Sequence, residues 1–135
     1  EDDENEAIEV VTPATYYLKN GKHYIVYEEV VEGTSGVIKN RIKINGDECV
    51  EIVKSGLSNS HMIFEKNKKN QTFYKTPYGQ MLIGVNTRHL QVDFEEDKIA
   101  VQIDYELDVN HEPMADCKIR MNIVSKDSGK FSVLS

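Results

Sequence analysis

The side chains best suited to chemistry in this chain of 135 residues are scattered rather than grouped. Its histidines are His23, His61, His89 and His111, and no two of them have the spacing of a metal-binding pair on a helix or hairpin. No serine or cysteine stands in a nucleophile elbow such as G-x-S-x-G, which would expose it beside a base. The sequence therefore predicts no catalytic residue, no metal site and no cofactor.

A second set of side chains suits binding rather than catalysis. Tyrosine carries an apolar ring and one hydroxyl, a combination that fits the lumen or mouth of a β-barrel holding a small, largely apolar molecule. We predict that the ligand-binding residues are Tyr16, His23, Tyr27, Asn40 and Tyr105. For His23, a hydrogen-bonded histidine in the barrel wall is the alternative interpretation.

Three basic residues alternate along one predicted strand and so share one of its faces: Lys39, Arg41 and Lys43. This stripe is either a solvent-exposed face with cross-strand partners such as Glu51 or a docking patch for an anion. The formal net charge of −7 excludes nucleic acid from the expected partners, because an acidic surface repels phosphate.

The elements that would position these residues are strands, because apolar residues recur at every second position. Between Ile99 and Leu107 every odd position is apolar or aromatic, whereas helical spacing would bring Gln102 and Glu106 onto the same stripe. The segment from Cys117 to Ile123 alternates in the same way. We therefore expect odd positions 99–107 to face the interior.

Turn residues predict hairpins between neighbouring strands. Asn20-Gly21 suits a type I′ turn, which would pair Leu18 with His23 and Tyr16 with Ile25. Near Asn86 the apolar positions change parity, and this predicts a β-bulge in a strand too long to be straight. The stretches Gly33–Gly36, 67–70, 95–98 and 108–116 are predicted connections.

Successive hairpins predict an all-β fold, an antiparallel meander of about eight to ten strands that closes or nearly closes into a barrel. Residues 1–135 form one domain, since no linker or repeat divides them. Apolar residues make up 39% and charged residues 29%, which is typical of a folded protein. No apolar run reaches the roughly 18 residues that a membrane span needs. Cys49 and Cys117 are expected to be free core residues, with one disulfide as the alternative.

The chain starts at Glu1 with no methionine, and its first six residues, Glu1 to Glu6, form an acidic run. Such a run is typical of a hairpin turn or a frayed end. If it is a turn, a strand that precedes residue 1 is missing. Removal of a signal peptide is an alternative that these residues leave open.

Several short segments, in this order and spacing, resemble the YwiB-like family of uncharacterised bacterial proteins. They are Gly21–Glu29, Glu32–Thr34, Met62–Glu65, Thr76–Gly79 and Ile103–Leu107, within a similarity that extends from Glu6 to Val124. The resemblance implies a calycin-type, lipocalin-like barrel, one further strand before residue 1 and a cytoplasmic setting, but no established activity. Where relatives carry an arginine this chain has Lys54, which lacks the bidentate guanidinium.

Three functions follow as hypotheses. The first is a non-catalytic barrel that binds a small, largely apolar ligand in its lumen or mouth. The second is an interaction or assembly domain, such as a homodimer, because Tyr17, Tyr24 and Val26 add bulk to the outer face of the first hairpin. The third is an enzyme of an unidentified class, for which the sequence offers no motif.

Overall fold

The structure is a computed structural model that describes residues 9–57 and 59–126. Within these residues it contains nine strands and no helix that is long and apolar enough to cross a membrane. The acidic run at Glu1–Glu6 lies outside the described residues. The strands are β1 (Thr15–Lys19), β2 (Lys22–Val30), β3 (Val37–Asn45), β4 (Cys49–Gly56), β5 (Ser60–Glu65), β6 (Lys69–Thr76), β7 (Gly79–Phe94), β8 (Lys98–Val109) and β9 (Glu112–Val124).

Within each sheet, consecutive strands pair antiparallel, so the predicted all-β antiparallel fold is confirmed. The strands form two sheets, one in the order β1-β2-β3-β4-β5 and the other in the order β6-β7-β8-β9. The prediction of a single closed barrel is not met by the described residues. The meander breaks between β5 and β6, where Asn67 has a φ of 59° and the carbonyl of Lys68 accepts a hydrogen bond from the Thr87 amide of β7. The chain therefore turns toward β7 at the point where a β5–β6 ladder would begin, although β5 contacts both β6 and β7.

The first hairpin has the predicted turn and register. Asn20 and Gly21 have φ values of 53° and 77°, and a type I′ turn requires positive φ at both of its central residues. Tyr16 pairs with Ile25, and Leu18 pairs with His23. The hairpin thus places the even positions of β1 and the odd positions of β2 on one face.

The parity change in the long strand β7 is a β-bulge, as predicted. The register with β8 shifts between Thr87 and His89, so one extra residue is accommodated there. Val85 and Thr87 are buried before the bulge, and Leu90 and Val92 are buried after it. The bulge therefore keeps one face of a 16-residue strand turned toward the core.

The predicted connection over 108–116 is wrong, because most of it is strand. β8 runs to Val109 and β9 starts at Glu112, with only Asn110 and His111 between them. Both residues have positive φ, 51° and 72°, and asparagine and histidine adopt this conformation more readily than most side chains. Pro113 lies near the start of β9, an edge strand of the second sheet, which is a position where sheets tolerate proline.

The core lies between the inward faces of the two sheets. Its buried apolar residues are Ile25, Ile42, Ile44, Val50 and Phe64 from the first sheet and Val85, Leu90, Val92, Ile99, Val101 and Ile103 from the second. Each fully buried side chain of this kind stabilises the fold by about 1.5–3 kcal/mol. The burial of Ile99, Val101 and Ile103 confirms the predicted inward face of β8.

Candidate functional site

A polar cluster interrupts the apolar inward face of the first sheet. Asn40 on β3 lies directly opposite Tyr27 on β2 and Lys54 on β4. These positions share the parity of the buried core residue Ile42, so they face inward. Glu29, two residues beyond Tyr27 on the same face of β2, completes the group. We call these four residues, Tyr27, Glu29, Asn40 and Lys54, the polar cluster.

Hydrogen bonds tie three members of the polar cluster together. The Asn40 side-chain amide donates to Glu29 Oε1 at 2.7 Å, and Lys54 Nζ donates to the same oxygen at 3.0 Å. Lys54 Nζ also donates to Asn40 Oδ1 at 2.6 Å. Asn40 is 0% exposed, so both ends of its buried amide are satisfied, as the cost of burying polar groups requires.

The polar cluster lies at the margin of the core, where the inward face becomes accessible. The side chains of Lys54 and Glu29 are 35% and 37% exposed. Among the described residues, no group hydrogen-bonds to the Tyr27 hydroxyl, and Glu29 Oε2 accepts no bond. An ammonium has three N–H donors, and Lys54 uses two of them within the cluster. Donor and acceptor capacity therefore remains for a further molecule.

The protonation states in the polar cluster follow from its contacts. The hydrogen bond from Asn40, together with the one from Lys54, lowers the pKa of the Glu29 carboxyl. Burial raises the pKa of Tyr27, and the nearby charge of Lys54 offsets part of that rise. At neutral pH Glu29 is thus a carboxylate and Tyr27 a protonated phenol.

Two of the predicted binding residues, Tyr16 and His23, form a separate pair at the other end of the first hairpin. The Tyr16 hydroxyl is hydrogen-bonded to His23 Nδ1 at 2.6 Å. The His23 ring lies 4.9 Å from that of Phe94 on the opposite sheet. Burial lowers the pKa of His23 and raises that of Tyr16. This geometry matches the alternative interpretation of His23 as a hydrogen-bonded histidine in the wall.

Tyr105 faces the core from the second sheet. Its ring packs edge-on against Phe64 of the first sheet, with the ring centroids 4.9 Å apart. Burial, with a smaller effect from the Cys117 side chain opposite it, raises the pKa of the Tyr105 hydroxyl. Cys117 is a free thiol, as is Cys49 on β4.

The five predicted binding residues therefore occupy three places: Tyr16 pairs with His23, Tyr27 lies beside Asn40, and Tyr105 is apart from both pairs. Their role in binding stays a prediction. The sequence reasoning missed Glu29 and Lys54 as members of the same group. Lys54 follows Val50 and Ile52 at the inward positions of β4, so its parity could have indicated an inward-facing charge.

The basic stripe lies on the outer face of the first sheet. Lys43 forms an ion pair of 3.7 Å with Glu51, the partner predicted for a solvent-exposed face. Lys39 lies opposite Glu28 in the β2–β3 ladder. Within residues 9–57 and 59–126, Arg41 has no carboxylate at ion-pair distance. Anion docking on Lys39, Arg41 and Lys43 stays a prediction.

A small crevice opens where the two sheets part. It has a volume of about 100 Å³ and is lined by His61, Met62, Ile63, Asn70, Gln71, Thr72 and Val85. Pockets for drug-sized ligands usually measure roughly 300–1,000 Å³, so this crevice is too small for one without side-chain movement. No group of three or more metal-ligating side chains occurs in the described part of the chain.

These observations define a small antiparallel all-β domain with a packed interior and a polar cluster at its margin. The chain belongs to the family described as a domain of unknown function (DUF1934), which matches residues 1–121. The family resemblance found in the sequence is thereby confirmed, and the family's description names no catalytic activity.

Two relatives, one by sequence and one by structure, carry the same name. The chain is 32% identical over 113 residues to the uncharacterised beta-barrel protein YwiB of Bacillus subtilis (strain 168), a match that covers 83% of this chain and 78% of that protein. The crystal structure of the ywiB protein from Bacillus subtilis matches with a TM-score of 0.65 at 23% identity. That match covers 85% of this chain and 77% of the other.

Proposed function

We propose that this protein is a non-catalytic module that binds a small, largely apolar molecule through the polar cluster. The observation that carries the proposal is the fully buried Asn40, held between Glu29 and Lys54 on a face that is otherwise apolar. Replacing a buried polar group and its partners by apolar residues of similar shape often leaves a protein equally stable or makes it more stable. Departures of this kind from the apolar pattern are expected at functional sites.

The apolar part of the ligand would pack beside the polar cluster. Ile52 and Met62 lie opposite each other on β4 and β5, one inward position along from Lys54. Both are only partly buried against the core. Methionine is flexible and polarisable, and it adapts readily to a new neighbour. Because the interior is filled with side chains, we expect the ligand to enter by displacing such residues rather than to occupy a preformed lumen.

Native mass spectrometry of freshly purified protein tests the proposal. We expect a bound small molecule in the wild type and its loss in Lys54→Met, which keeps the length of the side chain and removes its charge. Lys39→Met is the matched control, because Lys39 alternates to the outer face of the same sheet. A wild type that carries no molecule and takes up no apolar probe would remove this function.

We also infer that the two sheets are the halves of a calycin-type barrel. The sheets share one core, β5 contacts both β6 and β7, and the curated relative is named as a beta-barrel protein. On the side of the molecule away from the β5–β6 contact, closure of the barrel would involve the two edge strands β1 and β9. Hydrogen exchange checks this point, since amides along both edges should be protected in a closed barrel and should exchange quickly in an open one.

Self-association is the second candidate function. The rings of Tyr17 and Tyr24 stack on the outer face of the first hairpin, with centroids 4.8 Å apart and planes inclined by 6°. Tyr17 is 40% exposed, so the stack offers apolar area to a second copy of the chain. Light scattering at high concentration would reveal a dimer that Tyr17→Ser weakens. A strict monomer would contradict this candidate.

The free thiols support a cytoplasmic setting. Cys49 and Cys117 lie in different sheets and neither forms a disulfide, which is typical of proteins in a reducing compartment. Fractionation of cells that produce the protein should recover it with the cytoplasmic fraction, and recovery outside the cytoplasm would contradict this setting.

A further inference from the structure

The polar cluster has a donor–acceptor pattern and a charge balance that discriminate between classes of ligand. We infer that it selects a molecule with an uncharged polar end, a hydroxyl or a carboxamide, over a carboxylate, and that Glu29 sets this preference. The inference rests on the proposed function, because it concerns the same site.

The charge balance is the first argument. Glu29 already balances the ammonium of Lys54 through a contact of 3.0 Å, and the Asn40 amide between them is neutral. A carboxylate that entered the cluster would bring a second negative charge to a partly desolvated site that already holds one. Two carboxylates in such a site repel each other, and neither is fully hydrated by bulk water. A hydroxyl or carboxamide brings no charge and avoids this penalty.

The unused hydrogen-bonding groups are the second argument. They are one N–H of Lys54, the acceptor Glu29 Oε2 and the Tyr27 hydroxyl, which both donates and accepts. A hydroxyl or a carboxamide also donates and accepts, so it can satisfy the carboxylate oxygen and the ammonium at once. A carboxylate only accepts, so its oxygens would face the lone pairs of Glu29 with no proton between them.

Displacement of Glu29 by a ligand carboxylate gives no advantage. Glu29 Oε1 accepts from both Asn40 and Lys54, and an incoming carboxylate would gain only these same contacts. Glu29 is attached to β2, whereas the ligand would also lose its translational and rotational freedom. The resident carboxylate therefore outcompetes a free one.

The test compares three probes of equal chain length at pH 8, where the acid is ionised: decan-1-ol, decanamide and decanoate. Each competes with a fluorescent apolar reporter for the protein. We expect the alcohol and the amide to bind at least about tenfold more tightly than decanoate to the wild type, the effect of one unfavourable charge contact. Glu29→Gln removes the charge and keeps the side-chain length, so decanoate should gain about tenfold while decanamide changes little.

Glu28→Gln is the matched control. Glu28 is the neighbour of Glu29, and its side chain lies on the outer face of the sheet, opposite Lys39. The substitution therefore removes the same charge without changing the polar cluster. Equal binding of decanoate and decanamide to the wild type, or an equal gain of decanoate affinity in Glu28→Gln, would overturn the inference and leave the binding function standing. Failure of all three probes would overturn the proposed function itself. If Glu29→Gln does not fold, the relative affinities of the three probes for the wild type still test whether the cluster prefers an uncharged polar end.

Discussion

Asn40 and Lys54 lie directly opposite each other on neighbouring strands, and the ammonium of Lys54 donates to the Asn40 amide oxygen at 2.6 Å. Side chains directly opposite on antiparallel strands are the closest neighbours in a sheet, so the β3–β4 register alone brings these two groups together. Asn40 also contacts Glu29 of β2. A single buried amide thus joins three strands, and its removal should affect stability as well as binding.

Asn40→Ala should lower the free energy of unfolding by about 2–3 kcal/mol, because it leaves a small cavity and removes two buried hydrogen bonds. Asn45→Ala is the control, since Asn45 is exposed at the end of the same strand and should change stability by less than about 0.5 kcal/mol. Urea unfolding measures both. Similar losses for the two variants would mean that the Asn40 hydrogen bonds contribute little.

The polar cluster should also make the free energy of unfolding depend on pH in the acidic range. The pKa of Glu29 is lowered below the ordinary glutamate value of 4.5 by its bonds to Asn40 and Lys54. A carboxyl with a lowered pKa in the folded state contributes stability above its unfolded pKa and loses that contribution as the pH falls through the folded value. The difference in unfolding free energy between wild type and Glu29→Gln should therefore shrink below pH 4.5. A constant difference in urea titrations would contradict this.

His23 should produce a second pH dependence at higher pH. Burial lowers its pKa below 6.5, so the unfolded chain takes up a proton more readily than the folded protein. Stability from the neutral ring is therefore present above pH 6.5 and falls as the pH drops from there through the folded pKa. His23→Gln should flatten this part of the stability profile. Thermal unfolding of the wild type and this variant from about pH 5 to about pH 7.5, a window that spans the ordinary histidine pKa, measures the effect.

Local patterns predicted the strands but not the contacts between distant ones. The Asn20-Gly21 turn fixed the register of the first hairpin, and the parity change near Asn86 indicated the bulge in β7, because both signals lie within a few residues of their effect. At the break between the sheets, the Thr87 amide donates to the Lys68 carbonyl, and these two residues are far apart in the sequence. No short pattern encodes such a bond.

The candidate site shows the same division between local and distant information. Parity places Tyr27 and Asn40 on the inward face, which the sequence could supply. The grouping of Glu29 with Lys54 requires three strands in register and two long side chains that reach a common amide. The Asn110-His111 turn was missed for a different reason, since it contains no glycine to mark its positive φ values.

Gly84 borders an ion pair between Lys69 of β6 and Asp108 of β8 on the outer face of the second sheet. The Lys69 side chain passes over Gly84 to pair with Asp108, whose side chain is only 8% exposed. A Cβ at Gly84 would lie 3.0 Å from Lys69 Cε and 3.3 Å from Asp108 Cβ, closer than carbon atoms normally approach. Gly84→Ala should therefore push Lys69 aside by a few tenths of an ångström, weaken its ion pair with the buried carboxylate and lower the unfolding free energy by about 1 kcal/mol.

A double-mutant cycle separates the ion pair from simple crowding. Lys69→Ala removes both the obstructing Cε and the partner of Asp108, so Gly84→Ala should cost much less in that background than in the wild type. The coupling would appear in urea unfolding as a double variant hardly less stable than Lys69→Ala alone. If the two losses simply add, crowding against Asp108 rather than displacement of Lys69 explains the effect, because the Asp108 contact is present in both backgrounds.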